Sequence, residues 1–157
     1  MVIRLEVRVS KTIDKIGKEA IDSIADDGFF TYGYFKTLET SKPFDIAPVY
    51  LSIYDEGRII AAAPCHIDLE NQVSALERHF PSSKRIVNIA SHFRFYPDRL
   101  LVCSSPSSYH SKILVEKNFE KKAILSQVCR GIDDICRKER ISFSSFPYVS
   151  EFEDLLI

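Results

Sequence analysis

The segment "VYLSIYDEGRIIAAAPCHIDL", Val49 to Leu69, restricts the fold more than any other part of the chain. Val49, Leu51 and Ile53 alternate with more polar neighbours, "YDEGR" turns the chain, and Ile59, Ala61, Ala63, Cys65, Ile67 and Leu69 alternate again. A two-residue repeat on both sides of an acidic-glycine turn predicts a β-hairpin with one face turned to a core. Pro64 falls on the opposite face of the second strand. Lacking an N–H, it predicts an edge, a bulge or a gap to the neighbouring strand.

Elements of two kinds flank this hairpin. "MVIRLEVRVS" alternates apolar and charged residues as a strand does, with Leu5, Val7 and Val9 on one face, and does not read as a secretory signal. Ile13, Ile16, Ala20 and Ile24 recur at helical spacing, with Gly28 as the terminator. "FFTYGYFKTLETSKPF" predicts an aromatic helix that stops before Pro43. Leu100 to Cys103 reads as a short strand buried on both faces. A helix from Glu120 to Glu139 follows, with Ile124, Val128, Ile132 and Ile135 on one stripe. Gly131 interrupts it where close approach to a sheet would repay the loss of helix propensity. "ISFSSFPYV" reads as a last strand whose doubled serine shifts its phase as a bulge would.

These elements predict an α/β (α+β) domain with a mainly antiparallel sheet flanked by helices, and 157 residues suit a single such domain. No apolar run reaches the length of a membrane span. A net charge of −1 excludes a global field for nucleic acid or membrane, so such binding would need a local patch. That patch exists in "ERHFPSSKRIVNIASHFRFYPDR", where Lys84, Arg85, Arg94 and Arg99 interleave with aromatics and could contact RNA. The four cysteines form no CxxC pair, so reduced buried thiols in the cytoplasm are expected, and no metal.

"FFTYGYFKTLETSKPF" followed by "APVYLSIYDEGRIIAAAPCHI" resembles the opening of the FemAB-like, peptidoglycan-biosynthesis-type members of the GNAT-fold N-acyltransferases. Phe30, Phe35, Leu38, Glu39, Gly57, Ala61, Ala62 and Pro64 carry the likeness, which covers about the first 70 residues. It implies transfer of an acyl or aminoacyl group from acyl-CoA or a carrier to a small-molecule amine. It also implies a glycine-containing pyrophosphate loop after the fourth strand. The corresponding stretch, "SSPSSYHSKILVEKNFEKK", contains no glycine. Ser104, Ser105, Ser107, Ser108 and Lys112 are the substitute donors, set against the plainer reading of a solvated turn. The resemblance places a catalytic acid just after the last strand, at Tyr148 or Glu151. His66, on the polar face of the hairpin, is a further candidate against the reading of an exposed strand residue. The competing function is a non-catalytic interaction module that binds RNA or a protein partner.

Ser150 and Glu153 form a capping box that opens a helix, yet only four residues remain after Glu153. The expectation is therefore the N-terminal half of a longer protein, completed by its other half or by oligomerisation.

Overall fold

The computed structural model describes residues 5–69, 99–106 and 111–147. It is a mixed α+β fold: a six-stranded, mostly antiparallel sheet with helices on both faces. β1 (Leu5–Ser10) leads through a 3-10 turn (Ile13–Lys15) into α1 (Lys18–Ile24) and then α2 (Tyr32–Ser41). β2 (Ile46–Asp55) and β3 (Arg58–Asp68) form the hairpin. β4 (Leu100–Val102), the two-residue β5 (Leu114–Val115), α3 (Lys121–Glu139) and β6 (Phe143–Ser145) complete the order. The sheet runs β1-β2-β3-β4-β6, with β5 also on β3. β4 and β6 pair in parallel across α3.

The hairpin turns through Glu56 and Gly57, both at positive φ (48° and 82°), which matches the right-handed twist of the flanking strands. A register shift beside Ile53 and Tyr54 leaves Ile60 as the extra residue of β3. The faces exchange there. Ile59 packs with the α1–α2 layer, whereas Ala61, Ala63, Cys65 and Ile67 pack with the α3 layer. The long alternation read from the sequence therefore holds from Ala61 to Ile67 and breaks at the bulge. Because helices cover both faces, β3 is buried from Ile59 to Asp68.

Two cores result. On one face Ile124, Val128, Ile132 and Ile135 of α3 pack on Leu51, Ile53, Ala63 and Leu101. On the other, Phe30, Phe35, Ile13 and Ile21 pack on Tyr50 and Tyr54. Among the described residues β1 is an edge strand, and its apolar face is thinly covered: Val7 and Val9 are exposed.

Some local expectations change. The helix predicted from Ile13 breaks at Gly17 (φ 91°), leaving a 3-10 turn and a short α1. Gly28 does not end it; α1 stops at Ile24, and Gly28 begins a second 3-10 turn whose N-cap, Asp27, accepts from the Phe29 N–H. Both serines of the last strand pair with β4, Ser144 with Leu101 and Ser145 with Val102, without a bulge. Of the thiols, Cys65 and Cys103 are buried, but Cys129 is exposed and Cys136 half-buried.

Candidate functional site

Pro64 creates the site. The Asp55–Arg58 pair closes a two-residue hairpin, so it exchanges both backbone hydrogen bonds, and alternate residues beyond it turn their amides to opposite sides. After the Ile60 bulge, Ala62, Pro64, His66 and Asp68 direct their backbone away from β2. His66 and Asp68 meet β4 there, and Ala62 meets β5. Pro64 has no N–H to offer between them. The chain accordingly leaves β3 after Val102 and returns at Leu114, and β4 and β5 lie on the same edge with a gap at Pro64. Of the three sequence readings for this proline, the gap is the one observed.

A cavity of about 710 Å³ opens over this region. Phe35 and Leu38 of α2 form an apolar wall, Tyr50, Pro64 and His66 the floor, and Ser104 and Pro106 the far side. Lys11, Glu39, Lys42 and Asp45 are the charged residues among those that line it. A mainly apolar hollow with a few convergent polar groups has the character of a small-molecule site.

His66 is buried, not the exposed strand residue that its place on the polar face predicts. The reason is the α1–α2 layer, which covers that face. Its Nδ1 lies 3.2 Å from the Ser104 carbonyl oxygen. A carbonyl only accepts, so Nδ1 carries the proton, and in the neutral ring Nε2 is the basic nitrogen.

Glu39 is the second polar anchor. Its carboxylate accepts from the Thr12 hydroxyl at 2.9 Å and the Ile13 N–H at 2.7 Å, tying α2 to the start of the 3-10 turn. Burial, and then the charge of Glu39, push the Tyr50 phenol well above its ordinary range, so it stays a neutral donor. Glu39 entered the sequence reading only through its helix pattern, and Tyr50 not at all. The available signal was phase: Tyr50, Ser52 and Tyr54 occupy the alternate positions of β2, which matter once that face is known to be covered.

Where the serine stretch is described, its side chains are engaged within the protein. Ser104 and Ser105 are buried. The Ser105 hydroxyl donates to the Tyr34 hydroxyl at 3.0 Å, and Ser111 donates through both its N–H and its hydroxyl to the Pro147 carbonyl. Lys112 pairs with Asp26 at 2.8 Å and sits over the Phe30 ring. Only Ser104 of these borders the cavity. Arg99 lies 4.0 Å from Glu139. Ser107, Ser108, Tyr148, Glu151, Lys84, Arg85, Arg94 and the Ser150 capping box lie outside the described residues. Among the described residues there is no group of three or more metal-ligating side chains, and no helix is long and apolar enough to cross a membrane.

No family model, curated protein or solved structure matches this chain. The cavity and its polar groups are therefore the basis for a functional reading.

Proposed function

We propose that the chain is an N-acyltransferase-related protein, with the cavity over Pro64 as the place where an amine meets an acyl or aminoacyl donor, acyl-CoA or a carrier thioester. The amine nitrogen attacks the thioester carbonyl, forming the C–N bond. His66 takes the proton that nitrogen loses and returns it to the departing thiolate as the C–S bond breaks. The observation that carries the reading is His66 itself: a buried imidazole that lines the cavity, with Nδ1 directed at the Ser104 carbonyl. Glu39 and Tyr50 serve as positioning groups. The order of elements, with a parallel β4–β6 pair joined through α3, supports the same lineage.

The test is mass-spectrometric detection of acylated product from acetyl-CoA and a panel of primary amines. His66→Gln is expected to lower the rate by about 10²–10⁴ while the melting temperature holds. An unchanged rate removes His66 from the mechanism.

One observation favours a second reading, an interaction module without donor binding. Ser105 and Lys112 are engaged within the protein, and no glycine lets several N–H groups approach one phosphate there. Acetyl-CoA binding poorer than about 100 μM by calorimetry, with no acylated product, is the outcome that reading expects.

A further inference from the structure

We infer that β1 is a homodimerisation edge, pairing antiparallel with β1 of a second copy about an axis through Val7. The alternation that locates the gap at Pro64 also fixes the outer side of the sheet. With the backbone of Asp55, Ile53 and Leu51 directed at β3, that of Tyr54, Ser52 and Tyr50 is directed at β1. Their partners Glu6, Arg8 and Ser10 therefore direct their own backbone groups inward. Two observations agree. The Ser52 hydroxyl reaches the Arg8 carbonyl at 3.4 Å, and Pro48, in the β1-facing set, lies beyond the last β1 pair at Tyr50.

Leu5, Val7 and Val9 are left with their N–H and C=O groups along the outer edge, which pairs with no strand among the described residues. An edge of this kind is a template for another strand; β1 carries no proline, bulge or lysine, and its two charged residues, Glu6 and Arg8, are of opposite sign. The sequence of β1 selects the partner. In an antiparallel pair centred on Val7, Leu5 meets Val9, Val7 meets Val7, and Glu6 meets Arg8 in both directions. The three outward residues fall at hydrogen-bonded positions, giving about six main-chain bonds. One face gains a continuous Leu5–Val7–Val9 cluster from both copies, covering the exposed Val7 and Val9 of each. The other face gains two cross-strand ion pairs. Within one chain Glu6 and Arg8 already form a doubly bonded pair at 2.8 Å, so their charged groups stand on the same side of the strand. A second copy satisfies the backbone, the apolar face and the charged face together in a single register.

Sedimentation equilibrium of the full chain at micromolar concentrations tests this. Twice the mass of one 18.0 kDa chain is expected. Val7→Pro removes an outward N–H and leaves the β1–β2 ladder intact, so it should raise the dissociation constant at least about tenfold. Arg8→Glu sets like charges opposite Glu6 and should also weaken the dimer. Combining it with Glu6→Arg restores the complementarity and should restore the dimer. Circular dichroism reports whether each variant is folded, and the charge variants decide the matter if Val7→Pro is not. A chain that stays monomeric overturns the proposal, as does a dimer indifferent to Arg8→Glu and to folded Val7→Pro.

Discussion

Gly131 of α3 and Leu51 of β2 stand so close that a methyl group on the glycine would overlap the Leu51 Cδ1 atom, with Val7 Cγ1 3.4 Å away. The glycine is what lets the helix lie down on the sheet. Gly131→Ala should gain about 1 kcal/mol of helix propensity but force Leu51 from its site, at a cost of about 1–3 kcal/mol. A net loss of stability in urea unfolding is expected. A stabilised variant would show that α3 does not rest this closely on β2.

Glu39 joins α2 to the turn after β1 and borders the cavity, so its removal should be felt in both places. Glu39→Ala strands the Ile13 N–H and the Thr12 hydroxyl, a loss of about 1–3 kcal/mol. Glu39→Gln keeps an acceptor and should cost less. Paired urea curves measure the difference, and equal losses for the two variants would mean the hydrogen bonds are not what Glu39 contributes.

Asp22 gives a pH dependence of known sign. The hydrogen bond from Lys18, and then that from the Tyr32 N–H, hold its carboxyl below the ordinary 3.8. A group lowered in the folded state binds its proton more readily when unfolded, so its contribution is full above the unfolded value. It disappears as pH falls through the lowered folded value. The stability gap between the native protein and Asp22→Asn should thus be constant above about pH 5 and close toward pH 2. Thermal unfolding across that range reports it, and a gap that widens on acidification would contradict the assignment.

The thiols should divide by burial. The neighbouring Cys65 thiol, and then burial, push Cys103 well above the ordinary thiol range, so its nucleophilic form is scarce. Cys129 is exposed. A thiol reagent applied to the folded protein should modify Cys129 first and leave Cys65 and Cys103 untouched until denaturant is added. Peptide mapping after a short pulse identifies the sites; early modification of Cys103 would place it nearer solvent.

Patterns with short range were legible in the chain itself. The hairpin, its acidic-glycine turn, the α3 stripe and the meaning of Gly131 all rest on neighbours within one or two turns of backbone. Propensity and side-chain period act at that distance. Pro64 was readable to the same depth: the missing N–H dictates some interruption, whatever surrounds it.

Tertiary structure decided which interruption, and with it the site. A period of two says which residues share a face but not whether the second face is covered. His66, Ser104 and Ser105 looked solvated because the α1–α2 layer, which comes from elsewhere in the chain, is invisible to a local pattern. Once that layer docks, polar residues facing it lose water and must find partners. That is why His66 turns to the Ser104 carbonyl and Ser105 to Tyr34. Glu39 and Tyr50 became neighbours for the same reason: burial brings side chains together across distances in sequence that no spacing rule spans.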